Sequence, residues 1–188
     1  MSDVLLLDTN TVSYFLQAGR EKELAHAASC VAMSIVGEVK DELKRDRQRG
    51  GKFFEQWLAA STIVVRPIPV GSEASATLAR LVHPKDPSKD LGERASIALA
   101  ASDPSMILVT HDRNGVWIAL REIPSGARMM GLAPFLRIFF DRGVLTDPAV
   151  ADEVIKLAGP VEQRPTWWAS WRAGLAVPAA AAPAALSS

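Results

Sequence analysis

The sequence predicts an α/β fold built on a mainly parallel sheet, and three observations predict it. Short apolar runs are bounded by polar or turn residues, helical patterns lie between them, and the first run stops on a carboxylate. The runs are VLLL (4–7), VAMSIV (31–36), IVV (63–65), MILVT (106–110) and ARMM (127–130). Near-continuous apolar character of this kind suits strands covered on both faces, as in a parallel sheet. Between them, TVSYFLQ (11–17), IVGEVKDELKR (35–45), FFEQWLAA (53–60), ASATLARLV (74–82) and ERASIALAAS (93–102) repeat apolar residues at three- and four-residue spacing. That spacing is the mark of a helix packing one face.

Composition narrows the class. The chain has 188 residues, enough for one domain with a sizeable core and an appended segment. Lys plus Arg and Asp plus Glu number 21 each, so no global field draws the chain toward nucleic acid or a membrane, and any polyanion site must be local. Cys30 is the only cysteine, which excludes a disulfide framework and a cysteine-rich zinc site and fits a reducing compartment. No apolar stretch reaches membrane-spanning length and no leader pattern opens the chain, so the expectation is a soluble, cytoplasmic protein.

Past residue 143 the character changes. LTDPAVADEVIKLAG (145–159) reads as a helix led by Thr146 or Asp147. A Trp-rich piece, PTWWASWRAG (165–174), follows, then an Ala/Pro stretch of low complexity. The expected organisation is a domain over 1–143, a helical Trp-containing extension over 144–175 and a disordered tail over 176–188. Trp167, Trp168 and Trp171 have helix-compatible spacing, and docking, on the domain or on a second subunit, is favoured over stacking beneath RNA bases, because three indoles in water make a large apolar patch. Trp57 and Trp117 read as core or pocket-rim residues.

The acids carry the chemistry. Asp8 ends the first strand, Glu38 opens the helix after the second run, Asp90 and Glu93 open the helix ERASIALAAS, and Asp112 follows ILVTH. With right-handed crossovers in a parallel sheet, strand carboxyl ends and the following helix amino ends share one side, so these carboxylates can converge. Convergent carboxylates repel unless protons or a cation intervene. Oxygen ligands without thiolate or imidazole select a hard divalent ion, Mg²⁺ or Mn²⁺, and such a site suits phosphodiester hydrolysis. Asp90 is three residues from Glu93, and Glu38 four from Glu42, so each pair offers one ligand and one helper. The simpler alternatives are caps: Asp8 on the helix near Thr11, and Asp90 with Glu93 as a capping box. Gly92 leaves backbone room beside Glu93.

LLLDTN, SIVGEV, DLGERASIALA and LVTHD, in this order and spacing, resemble a PIN-domain ribonuclease, the fold of VapC-type toxins and of several RNA-processing nucleases. The resemblance covers about residues 3–140. It implies a three-layer α/β/α fold and an acidic pocket that binds Mg²⁺ or Mn²⁺ and cleaves single-stranded RNA. Residue by residue it makes Asp8, Glu38, Glu93 and Asp112 the catalytic acids and Asn10 and Thr110 supporting residues; Asp8, Glu93 and Asp112, with Asp90 added on its spacing to Glu93 alone, are the candidate metal ligands. Glu rather than Asp at position 93 resembles a subgroup that reads LGE. The resemblance further implies a small antitoxin partner and a homodimer.

Thr9, Asn10 and Ser34 read as polar groups that orient water or a carboxylate. KDELKRDRQRGGK (40–52) holds six basic against three acidic residues. Lys44, Arg45, Arg47 and Arg49, with Arg113 beside Asp112, are candidate RNA-phosphate contacts; a solvated helix face is the alternative. His26, His83 and His111 lack metal-like spacing. Two other functions compete: a non-catalytic PIN-like module binding RNA or protein, and a haloacid-dehalogenase-type phosphatase. The phosphatase needs a second acid two residues after its nucleophile, where Asn10 stands. A dinucleotide site fails because the turn after the first strand lacks glycines.

Overall fold

The run Val4–Leu7 forms the middle strand, β1, of the sheet, and the rest of the fold is arranged around it. The structure, a computed structural model, describes residues 3–45, 51–159 and 165–175. In chain order the elements are β1, α1 (Thr9–Gln17), α2 (Glu21–Cys30), β2 (Met33–Val36), α3 (Gly37–Arg45), α4 (Gly51–Ala60), β3 (Val64–Arg66), α5 (Glu73–Leu81) and α6 (Leu91–Ser102). Then come β4 (Met106–Val109), α7 (Arg113–Glu122), a 3-10 turn (Gly126–Arg128), β5 (Met129–Met130), α8 (Leu132–Asp141), α9 (Pro148–Ala158) and α10 (Trp168–Leu175).

All five strands are parallel, in the order β3-β2-β1-β4-β5. Leu5 stands opposite Met33 of β2 and Ile107 of β4, and Leu7 opposite Val109. Helices cover both faces, so β2 is buried throughout and alternation is absent, as the apolar runs predicted. The edges are short: β5 has two residues, and β3 three with Val64 exposed. Helix α6 packs on β1, β2 and β4 and against α3, α5 and α7, while α9 packs on α1 and α8. This is a three-layer α/β/α arrangement.

Three helices have no counterpart in the sequence reading: α2, α7 and α8. Helices α2 and α8 do bury an apolar stripe, Leu24, Ala27 and Ala28 in the first and Phe135, Leu136, Phe139 and Phe140 in the second. Helix α7 buries only Gly115 and Ala119 and leaves Trp117 and Leu120 exposed. Helix α8 is apolar on most sides and carries Pro134, normally a breaker. That proline falls in the first turn, where the amide it lacks would have had no partner in the helix. Half of ARMM (127–130), Ala127 and Arg128, belongs to the 3-10 turn, and only Met129 and Met130 are in the sheet.

The segment beyond residue 143 joins the main core. Asp147 caps α9 through Oδ1, accepting from the Ala149 amide at 2.9 Å with Pro148 behind it, and Val150, Ala151, Val154 and Ile155 are buried. Trp168 is 3% exposed, and its ring lies 4.9 Å from Trp171 and 5.9 Å from Trp167. Trp171 meets Phe140 of α8 edge-on and donates Nε1–H to Asp141, while Arg172 pairs bidentately with Asp152 of α9. The indoles therefore dock on the domain. Arg47, Arg49 and the Ala/Pro tail lie outside the described residues. Among the described residues no helix is long and apolar enough to cross a membrane.

Candidate active site

The strand order reverses direction between β1 and β4: from β1 the chain first builds outward through β2 and β3, then returns to the other side of β1. At such a switch point the connections leaving the two strands diverge and open a crevice at their carboxyl ends. Asp8 leaves β1 there, and Thr110, His111 and Asp112 leave β4.

Asp8 is wholly buried. Its amide donates to Val109 O at 3.2 Å, and its Oδ1 accepts from the Thr11 amide at 2.7 Å, so it does cap α1. The cap uses one oxygen only. Oδ2 is buried with no partner. Burial raises the Asp8 pKa, and the Thr11 bonds, the Thr110 hydroxyl and His111 oppose the rise without cancelling it. Thr110 lies close enough to act on that carboxylate, yet its Oγ1, like Asp8 Oδ2, closes no hydrogen bond of good geometry.

Glu93, in the first turn of α6, is 8% exposed, and its Oε1 also lacks a partner. Burial, then the charges of Asp112, Asp8 and Asp90 in that order, push its pKa up to about 8. Of the acids expected to converge with Glu93, Asp8, Asp90 and Asp112 act on its charge, and Glu38 is not among them. Room for the Glu93 carboxyl comes from Gly115 of α7, where an added Cβ would fall 1.9 Å from Oε1. Gly92 serves a different neighbour: a Cβ there would meet Thr9 Oγ1 at 2.5 Å and Glu42 Oε2 at 2.7 Å.

Asp112 caps α7, its Oδ1 accepting from the Asn114 amide at 2.8 Å and the Gly115 amide at 3.1 Å. Asp90 does not cap α6. Its backbone is left-handed, with φ of 52°, so its side chain makes no cap hydrogen bond and the expected capping box with Glu93 does not form. A non-glycine residue held there is strained, a condition that clusters at functional sites.

On α3 the two glutamates separate. Glu42 reaches the cavity: its Oε2 accepts from Thr9 Oγ1 at 2.5 Å and its Oε1 from the Gly92 amide at 2.8 Å, tying α1, α3 and α6 together. Glu38, one turn earlier, does not line the cavity and keeps a buried Oε2 without a partner. The helper residue of that pair is thus the one on the wall.

The cavity has a volume of about 750 Å³. Glu42, Glu93, Asp90 and Asp112 form its acidic side, with Asp8 buried behind it; Thr9, Asn10, Ser88 and Asn114 add polar groups, and Arg45 and Lys89 supply positive charge. Ser88, Lys89 and Asn114 were not among the expected site residues, and Glu42 was expected only as the helper of Glu38. Of the expected basic contacts, Arg45 lines this cavity, Lys44 is paired with Glu55 at 2.9 Å, and Arg113 lines a neighbouring cavity.

Among the described residues, no group of three or more carboxylate, imidazole or thiolate side chains is placed to hold a metal ion. A hard divalent ion needs less than that, since it keeps several waters and takes one or two carboxylates plus substrate phosphate. Two buried, unpartnered carboxylate oxygens next to a third acid fit such an ion, because a cation removes both their desolvation cost and their mutual repulsion. Comparison with protein-family models, with characterised proteins and with solved structures found no match to this chain.

Proposed function

We propose that the chain is a divalent-metal-dependent endoribonuclease of the PIN type, with its centre at the β1/β4 crevice. The observation that carries the reading is the coupling of Glu93 to Asp8, Asp90 and Asp112 at the carboxyl edge of the sheet, with an orphaned oxygen on both Asp8 and Glu93. An acidic cluster that serves only folding would have its oxygens satisfied.

In this reading Asp8 and Glu93, the two acids of the cluster with orphaned oxygens, would hold Mg²⁺ or Mn²⁺ together with water and substrate phosphate, and Asp112 and Asp90 add charge beside it. Bound there, the ion supplies an activated water and offsets charge building on the attacked phosphate. The chain's own residues do the rest. Glu42, clamped by Thr9 and the Gly92 amide, fixes the wall on which a strand would lie. Arg45 and Lys89 draw phosphates toward an otherwise repelling pocket. Asn10 and Asn114 are polar groups on the same wall able to orient water. Capping bonds to Asp8 and Asp112 lock both carboxylates in place, which is what a preorganised site needs.

A purely binding module is the second reading, and the lack of a group of three or more such side chains placed to hold a metal ion among the described residues favours it. The aspartyl-nucleophile reading loses ground, since Asp8 is wholly buried and half engaged in capping. Cleavage separates the two that remain. Purified protein with Mn²⁺ or Mg²⁺ should cut single-stranded RNA, and Asp8→Asn, which keeps the shape and removes the charge, should abolish it. Undiminished cutting by that variant removes Asp8 from the mechanism, and no cutting by the wild type leaves the binding module.

A further inference from the structure

A second cavity, of about 620 Å³, adjoins the acidic one, and Asp112 belongs to both. Its lining is chemically unlike that of its neighbour: Tyr14 and His111, with Arg113, Val116, Trp117 and Leu120 of α7. Trp117 is 61% exposed and Leu120 51%, on a helix whose buried face consists of Gly115 and Ala119. Burial does not account for an indole at that position. Nor does ion pairing account for Arg113, which has no ion-pair or hydrogen-bond partner among the described residues.

We propose that this cavity is a nucleobase subsite: it takes the base of a nucleotide flanking the phosphate held at the acidic centre, with that base stacked on Trp117 and the adjoining phosphate met by Arg113. The inference rests on the ribonuclease reading and adds the part of the substrate that the acids do not touch. An exposed aromatic face beside an unpaired guanidinium is the combination that holds single strands, because every base offers a π-face and every link a charge. The His111 side of the cavity is held in place: its Nε2 lies 3.1 Å from Ala158 O and its ring meets Tyr14 edge-on at 6.3 Å between centroids. The mixed wall argues for a nucleotide over an apolar peptide, since Arg113, His111 and Asp112 would lose solvent to a ligand that offered them no polar partner. Sharing Asp112 sets the two cavities side by side, within the reach of neighbouring nucleotides of one strand.

The test uses the full chain and a 2′-O-methylated pentanucleotide, which resists cleavage, binding being followed by fluorescence anisotropy without divalent metal. Trp117→Ala should weaken binding about tenfold or more, the loss expected for one stacked base, and Trp117→Phe should restore most of it. An otherwise identical pentanucleotide with one abasic position should bind the wild type more weakly at one register, yet bind Trp117→Ala no worse than the intact strand does. Equal binding of the intact strand by wild type and Trp117→Ala overturns the proposal, as does an abasic penalty of the same size in both proteins. A change in oligomeric state on Trp117→Ala with oligonucleotide binding intact also overturns it, by making this face a contact between copies of the chain. The ribonuclease reading fails separately: wild type that binds in this pattern but cuts no RNA with Mn²⁺ keeps the subsite and loses the nuclease.

Discussion

Replacing Gly115 by alanine sets helix propensity against a collision, and the two act on different properties. The added Cβ would lie 1.9 Å from Glu93 Oε1 and 2.4 Å from its carboxyl carbon, well inside contact distance. Gly115 does not have a positive φ, so alanine meets no backbone strain and gains up to about 1 kcal/mol of helix propensity. Against this stands overpacking, which costs about 1–3 kcal/mol when a buried neighbour must shift. The neighbour is the end of a side chain that borders an open cavity, so Glu93 can swing away without unfolding the domain. The net destabilisation is about 0–2 kcal/mol, a fall in Tm of no more than about 8 °C for a chain of this length. Metal affinity responds differently. A Glu93 carboxylate pushed from its place beside Asp8 and Asp112 should weaken Mn²⁺ binding about ten- to a hundredfold. Thermal melts and calorimetric titration on the same preparation read the two effects apart, and Gly37→Ala, with nothing within 4 Å of the new Cβ, serves as control. A Gly115→Ala protein with wild-type Mn²⁺ affinity would refute the reasoning.

Two further outcomes follow from the same geometry. Glu93 keeps its proton up to about pH 8 in the folded chain, against an ordinary value of 4.5, so between those limits the folded state binds more protons than the unfolded one. Metal-free stability should therefore fall as pH rises from about 5 to about 8. The full shift corresponds to almost 5 kcal/mol, which screening at the cavity surface reduces to about 2 kcal/mol. Glu93→Gln should flatten that slope in urea melts, and stability that climbs with pH over this range in the wild type would contradict it. For the extension, Trp168→Ala should cost about 3–5 kcal/mol because the indole is buried, whereas Trp117→Ala on the exposed face of α7 should stay within about 0.5 kcal/mol. Comparable losses at the two positions by denaturant melts would mean that α10 does not share the main core.

What the sequence made legible was whatever burial writes into it. The strands stand out because a parallel sheet covered on both faces requires unbroken apolar runs, and Asp8 stands out as the residue that breaks the first. The switch point adds meaning to that position, since Asp8 and Asp112 leave adjacent strands only because β4 pairs with β1 and not with β3. Strand order is a long-range property and leaves no local trace. The same limit explains Glu42. Glu38 and Glu42 share a face of α3, and which one reaches the cavity depends on the packing of α3 against α6 and on Thr9 and the Gly92 amide arriving to hold it. Asp90 misleads for a related reason: KDLGE has the composition of a capping box, and only the left-handed backbone prevents the cap. Helix α7 was hidden because its buried positions are Gly115 and Ala119 while Trp117 and Leu120 face out, the reverse of the pattern that reveals a helix.

The central claim is that Asp8, just past β1, and Glu93 of α6 share one divalent cation with Asp112 beside it, and calorimetric titration of Mn²⁺ tests it most directly. Wild type should show a single saturable site, and Asp8→Asn, Glu93→Gln and Asp112→Asn should each weaken it about tenfold or more. No saturable binding by the wild type, or three variants that bind as it does, would contradict the account.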